Sequence, residues 1–242
     1  VPEPDLSVCG PLARSAKDLE IALDVMAGPM ERRSKGWQLN LAECNKTSLK
    51  DFKVAIWSNY ELAPVSKEIA QRCEEVGNKL NSVGTTVSFV AKPEHDFMKA
   101  EINYQLLLQS VMQSGLPEDE YQKIEKLASS LDKNDLSVDA ILAKGTVLSH
   151  RNWIRQNYAR EQIKIYWSKF FEEWYVLICP QLATTAIEHD HRKISERTVM
   201  VDNQEQRYFQ QIFWPGLAVN AHLPSTVFPA GLSGDGMPIG LQ

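Results

Sequence analysis

The sequence has few of the features that define membrane-bound or nucleic-acid-binding proteins. Its apolar runs, such as YVLICP at 175–180, are far shorter than the ~20 residues that a membrane span requires. The first residues do not have the pattern of a signal peptide. Lysine and arginine number 26 against 31 aspartate and glutamate, and no basic run is interleaved with aromatic residues. We therefore expect a soluble cytoplasmic protein that binds neither membrane nor nucleic acid.

Metal and cofactor motifs are also scarce. No C-x-x-C pair occurs among the four cysteines, Cys9, Cys44, Cys73 and Cys179. His189 and His191 flank Asp190 and could join Cys179 around a metal, but no further histidine or carboxylate lies at a supporting helical spacing. Phosphate-binding glycine loops and dinucleotide fingerprints are absent from the sequence. We therefore expect no metal site.

The nucleophile motifs of serine hydrolases are incomplete. GLSGDG at 231–236 departs from G-x-S-x-G at its last position and predicts a hairpin turn. Ser130 and Lys133 form S-x-x-K, a spacing at which the lysine can deprotonate the serine. They lie in a polar run, however, and KGT at 144–146 is not the K-T-G that accompanies this motif. A helix boundary is the favoured interpretation, and an unrelated serine hydrolase stays open as an alternative.

The residues that are present, 43% of them apolar, predict an α/β fold. FKVAIWS at 52–58 reads as a strand, and Ser66 then begins a helix whose apolar stripe ends near Gly84. TVSFV at 86–90 reads as the next strand. We expect these strands to be parallel neighbours joined by a right-handed crossover.

Further elements follow the same logic. Ser15 begins an amphipathic helix that ends at Gly28-Pro29, and the segment from about 94 to 173 is almost wholly helical. YVLICP reads as a buried strand, and a loop is predicted over 181–198. Gln204 to about Ala221 is predicted as a helix interrupted at Pro215-Gly216, followed by two strands joined by the GLSGDG turn.

Three segments resemble the amidase signature family. GPLARSAKDLEIALDVMAGP at 10–29 fits its G-P-[LM]-A-R-S, D-L and D-x-x-A-G-P pattern. YVLICPQLATTA at 175–186 is similar to the family's D-[VL]-L-[LI]-x-P-x-x-x-x-A strand and loop. FWPGLAVNAHLPSTVFPAGLSGDGMPIGLQ at 213–242 is similar to its C-terminal run, which ends in a G-[LM]-P-[IV]-G-[LV]-Q strand.

The resemblance implies a fold and an activity. Residues 1–242 would form part of an amidase domain: the C-terminal part of a mixed-sheet fold with flanking helices and a helical insertion at about 94–173. Family enzymes hydrolyse carboxamides, without a cofactor, to a carboxylate and ammonia or an amine. Their nucleophilic serine, cis-serine and lysine lie upstream of the G-P-L-A-R-S segment, where VPEPDLSVCGP has no lysine and only Ser7 as a serine. No catalytic residue is therefore assigned within this chain.

The resemblance also places candidate substrate contacts near the acyl pocket. These candidates are Cys179, Gln181, Thr184, Phe213 and Trp214. Tyr104 and Gln105, in the helical block, could face the same cleft and select the amide.

The chain's partners follow from this interpretation. Neither end of the sequence looks like a natural terminus, so we expect the N-terminal half of the same protein as a partner, besides a small amide. The chain alone would be inactive. A noncatalytic module, either a pseudoenzyme or the partner subunit of a split amidase, is the alternative, and a homodimer is left open.

Overall fold

In the computed structural model, which describes residues 5–193 and 196–242, the chain divides into two units, Val1–Thr47 and Ser48–Gln242. The first unit contains α1 (Ala16–Met26) and α2 (Glu31–Ser34). The Ser15 hydroxyl accepts the Asp18 N–H at 3.1 Å, which confirms the predicted helix start. No side chain of α1 is buried, and Leu23 and Met26 on its apolar stripe are about half exposed.

A three-stranded parallel sheet organises the second unit. Its strands are β1 (Lys53–Ile56), β2 (Thr86–Ser88) and β3 (Val176–Ile178), in the order β2-β1-β3. Helix α3 (Lys67–Ser82) connects β1 to β2, and its Ile69 and Cys73 are buried. The predicted strand-helix-strand unit and the YVLICP strand are confirmed.

Helices fill the segment between β2 and β3, as predicted. They are α4 (Phe97–Met112), α5 (Glu118–Ser130), α6 (Val138–Thr146) and α7 (His150–Glu173). Short 3₁₀ helices are found at Leu49–Asp51 and Tyr208–Ile212. Nowhere in the described ranges does a helix combine the length and the apolar character that crossing a bilayer requires.

The C-terminal part differs from the sequence prediction at one element. The helix predicted from Gln204 is wrong: β4 (Thr198–Val201) and β5 (Gln204–Arg207) form an antiparallel hairpin there, and α8 begins only at Phe213 and runs to Ala221. Asp202 has φ 52°, a turn conformation that aspartate tolerates. Pro215 does not interrupt α8 because it lies in the first turn, where backbone N–H groups have no intrahelical acceptor.

The remaining predicted features are confirmed where they are described. β6 (Phe228–Leu232) and β7 (Pro238–Leu241) form an antiparallel hairpin closed by the GLSGDG turn, in which the Gly236 N–H donates to the Ser233 carbonyl. The loop predicted after β3 is confirmed over residues 181–193, and Ile194 and Ser195 lie outside the described residues. Cys179 and Gln242 exchange two backbone hydrogen bonds of 2.9 Å, so an isolated antiparallel bridge joins the residues after β3 to the end of β7.

The core of this unit lies between the sheet, α3 and α8. Trp57 and Trp214 are almost completely buried at its centre, with their ring centroids 5.3 Å apart. Helix α8 approaches α4 closely, since a Cβ added at Gly216 would lie 2.5 Å from Cε1 of Tyr104. The absence of a side chain at Gly216 is therefore what allows the two helices to pack.

Candidate functional site

A cavity of about 180 Å³ lies between α4, α6 and the start of α8. Its walls are mostly apolar, which is typical of small-molecule sites. The lining residues are Leu62, Phe97, Met98, Glu101, Ile102, Gln105, Leu136, Val138, Ile141, Leu142, Phe209, Gln210 and Phe213.

Helix α4 provides one wall through a regular spacing. Phe97, Glu101 and Gln105 are four residues apart and therefore share one face of the helix. The Asp96 carboxylate accepts the Lys99 N–H at 3.0 Å and so fixes the start of the helix. This backbone hydrogen bond is the main reason why the pKa of Asp96 lies below its usual value.

Helix α6 provides the facing wall and is tied to the end of β5. The Ser137 hydroxyl caps α6 by accepting the Ala140 N–H. Arg207 donates two hydrogen bonds to the Asp139 carboxylate, at 2.6 and 3.1 Å. The pKa of Asp139 is lowered and that of Arg207 is raised by this bidentate pair, which joins α6 to β5.

Two polar side chains meet within the apolar wall. Nε2 of Gln105 donates to Oε1 of Glu101 at 2.7 Å. Burial raises the pKa of Glu101, and the hydrogen bond from Gln105 opposes that shift only in part. Oε1 of Gln105 is buried and has no hydrogen-bond partner among residues 5–193 and 196–242. The pair therefore holds an unused acceptor beside a desolvated carboxyl group.

A second cavity, of about 20 Å³, lies between α4, α7 and α8 and has room for one water molecule. His95, Tyr104 and Asn220 line it, and Glu101 and Phe213 line both cavities. The His95 ring packs 4.2 Å from that of Phe97, measured between centroids, and burial lowers its pKa. Burial also raises the pKa of Tyr104 to about 12. Both shifts favour the neutral form of the ring.

The five residues that the resemblance nominated occupy different environments. Phe213 lines both cavities. Trp214 is fully buried, and its indole Nε1 donates to the Ala63 carbonyl at 3.1 Å. Cys179 is buried as well, and burial raises the pKa of its thiol to about 12, so the thiol stays protonated at neutral pH.

Gln181 and Thr184 are partly buried in the loop after β3 and line neither cavity described above. Oε1 of Gln181 is buried without a hydrogen-bond partner within the described part of the chain. Of the two residues nominated from the helical block, Gln105 lines the large cavity and Tyr104 the small one. The structure thus brings Phe213 and Gln105 to one cavity.

Sequence reasoning missed the role of Gln242. Its Nε2 donates to the Trp214 carbonyl at 2.7 Å and to the Pro180 carbonyl at 3.2 Å, and it also contacts Sγ of Cys179 at 3.5 Å. One amide thereby joins the loop after β3 to α8. Its place at the end of the G-M-P-I-G-L-Q strand is the signal that could have identified it.

The serines considered as nucleophiles are engaged locally. The Ser130 hydroxyl donates to the Leu127 carbonyl at 2.7 Å, and the Ser233 hydroxyl accepts the Met237 N–H at 3.0 Å. Asp190, between the two loop histidines, pairs with Arg192. In the ranges that the structure describes, no group of three or more His, Cys, Asp or Glu side chains is placed to hold a metal ion.

Comparison with known proteins gives a consistent result. The model of the amidase family matches residues 2–242. A glutamyl-tRNA(Gln) amidotransferase subunit from Bartonella tribocorum is 27% identical over 256 residues, covering 98% of this chain and 50% of that protein. Its counterpart from Coxiella burnetii is 25% identical over 260 residues, covering 98% and 51%. The chain spans about half the length of these curated relatives.

Solved structures share the fold. A bacterial aryl acylamidase of the amidase signature enzymes superposes with a TM-score of 0.63 at 17% identity, covering 96% of this chain and 48% of that one. A glutamyl-tRNA(Gln) amidotransferase subunit from Thermotoga maritima superposes with a TM-score of 0.62 at 16% identity, covering 96% and 47%.

Proposed function

The chain belongs to the amidase family, and from this premise we propose that it forms the C-terminal part of an amidase-signature hydrolase. The reaction is hydrolysis of a carboxamide C–N bond by water, giving a carboxylate and ammonia or an amine. The observation that carries the proposal is the family match, which extends over residues 2–242 rather than over one motif.

In this proposal the bond-breaking groups lie outside the chain. The nucleophilic serine, the cis-serine, the lysine and the oxyanion donors are assigned to a segment N-terminal to residue 1. The coverage of about half of each relative supports this assignment. Ser130 and Ser233 are bonded to nearby backbone atoms, and Cys179 is a buried, protonated thiol, so none of them is activated as a nucleophile requires.

The part that this chain plays is substrate binding. The 180 Å³ cavity would hold the apolar portion of the amide, with Phe213 in contact with it. Trp214 and Cys179 would shape the wall from behind, supported by the Gln242 amide. Gln181 and Thr184 would contribute from the loop after β3. Positioning the amide lets groups on the N-terminal segment act on it without a further loss of entropy.

Amide hydrolysis tests the proposal directly. The 242-residue chain, and the same chain preceded by the segment encoded upstream, would be assayed against aryl and aliphatic amides for release of ammonia or amine. We expect no turnover by the chain alone and turnover by the extended form. Turnover by the chain alone would place the nucleophile at Ser130 or Ser233. Absence of turnover in a folded extended form would favour the noncatalytic alternative.

A further inference from the structure

The large cavity contains one acidic side chain, Glu101, among its lining residues. The other polar lining residues are Gln105 and Gln210, and the remaining ones are apolar. A carboxyl group in such surroundings loses hydration that one hydrogen bond from Gln105 replaces only in part. The raised pKa of Glu101 reflects this loss.

Two cations close in sequence to lining residues of the cavity are engaged elsewhere. Lys99 on α4 pairs with Asp96 at 3.2 Å, and Arg207 on β5 pairs with Asp139. Neither lines the cavity, and no lysine or arginine does so among the described residues. The carboxyl group of Glu101 therefore lacks a cationic partner among the lining residues, and a bound ligand could provide one.

We propose that this cavity binds a primary ammonium group carried on an apolar body about as large as one six-membered ring. The ammonium would donate to the Glu101 carboxylate, while the apolar body would contact Phe97, Ile141 and Phe213. That the ammonium group belongs to a substrate rests on the proposed function. Binding of the ammonium compound can be measured without catalysis.

The size and the opening of the cavity fit this ligand. A cavity of about 150 Å³ lined by aliphatic and aromatic side chains accommodates benzene, and this one measures about 180 Å³. Leu62, Met98 and Leu136 line it while remaining 41%, 43% and 62% exposed, so they form a mouth open to solvent. An amine can therefore enter without unfolding of α4 or α6.

Calorimetric titration with three ring compounds tests the inference on the 242-residue chain. Benzylamine, which is cationic at pH 7, is compared with neutral benzyl alcohol and anionic benzoate. We expect benzylamine to bind roughly tenfold or more tightly than benzyl alcohol, because hydrogen bonds to a charged group are the stronger ones. Benzoate should not bind. Equal affinity for benzylamine and benzyl alcohol, or binding of none of the three, would overturn the proposal.

Two variants test whether the preference for benzylamine arises at Glu101. Glu101→Gln should abolish the preference for benzylamine and retain binding of benzyl alcohol. Glu125→Gln, with the same change of charge on the exposed face of α5, should bind all three compounds as the parent chain does. Retention of the benzylamine preference in Glu101→Gln would contradict the proposal. The comparison among the three compounds on the parent chain stands even where that variant does not fold.

Hydrolysis by the extended form is measured in parallel. Selective benzylamine binding without hydrolysis of any amide would overturn the proposed function and leave the ammonium site intact. Hydrolysis without selective benzylamine binding would overturn the ammonium site alone.

Discussion

A few side chains hold the C-terminal elements of the second unit together. Gln242 is the one at the candidate site whose side chain bonds to several different segments of the chain. Its side chain bonds to Trp214, Pro180 and Cys179, and its Oε1 accepts the Ser225 hydroxyl at 3.2 Å. Because Trp214 and Pro180 are buried, loss of this donor removes a hydrogen bond from each of two buried carbonyl groups.

Replacement of this side chain gives the first prediction. Gln242→Ala should lower the free energy of unfolding by about 1–3 kcal/mol, because buried carbonyls lose their donor. Urea denaturation followed by tryptophan fluorescence measures the change. Gln71→Ala is the control, since it removes one exposed hydrogen bond, to Glu75, on the surface of α3. Equal losses in the two variants would show that Gln242 has no special role.

The site itself could be predicted only in part at the scale of residues. Phe213 and Gln105 were nominated, and both line the cavity, yet Glu101 was not, because a glutamate in a helix is usually solvated. Its environment is set by α6 and by the start of α8, which are 37 or more residues away in sequence. Local sequence patterns carry no information about contacts between residues so far apart.

Helices and strands could be predicted from the sequence where the patterns that define them are local. Serines cap α1 and α3, and the stripe of α3 is apolar at helical spacing, so these two helices were predicted correctly. The β4–β5 hairpin was missed although Val199 and Val201 alternate with more exposed residues and Asp202-Asn203 is a turn pair. Its polar second strand, QEQR, has too little apolar periodicity to distinguish a strand from a helix.

The turn of this hairpin also caps a helix, which gives a prediction for these elements. Both carboxylate oxygens of Asp202 lie 3.3 Å from the backbone N of Lys67, the first residue of α3. Asp202→Asn keeps a residue that tolerates positive φ but removes the negative charge at the helix N-terminus, and should cost about 0.3–1 kcal/mol. Hydrogen exchange in the first turn of α3 should accelerate.

A matched variant distinguishes capping from a general effect of charge. Asp119→Asn removes the same charge from the exposed N-terminal turn of α5, where the carboxylate pairs with Lys123. It should leave exchange in α3 unchanged. Faster hydrogen exchange in α3 in both variants, or in neither, would contradict the capping role of Asp202.

At the scale of the whole molecule, the exposure of apolar residues in the first unit to solvent requires an explanation. Within this unit Leu12 and Val25 are almost fully exposed, and α1 buries none of its side chains. An isolated helix of 11 residues is marginal in water, because its stability comes mainly from packing of its apolar face. We expect the segment that the proposed function places N-terminal to the chain to cover this face.

Hydrogen exchange of α1 tests whether the N-terminal segment packs on its apolar face. In the 242-residue chain we expect α1 to exchange rapidly while α3, with Ile69 and Cys73 buried, exchanges slowly. In the extended form α1 should become protected by roughly tenfold or more, since burying its apolar stripe contributes more than about 1.4 kcal/mol. Protection of α1 to the level of α3 in the 242-residue chain would mean that another surface covers it. A second copy is the first candidate, and protection that rises with protein concentration would identify it.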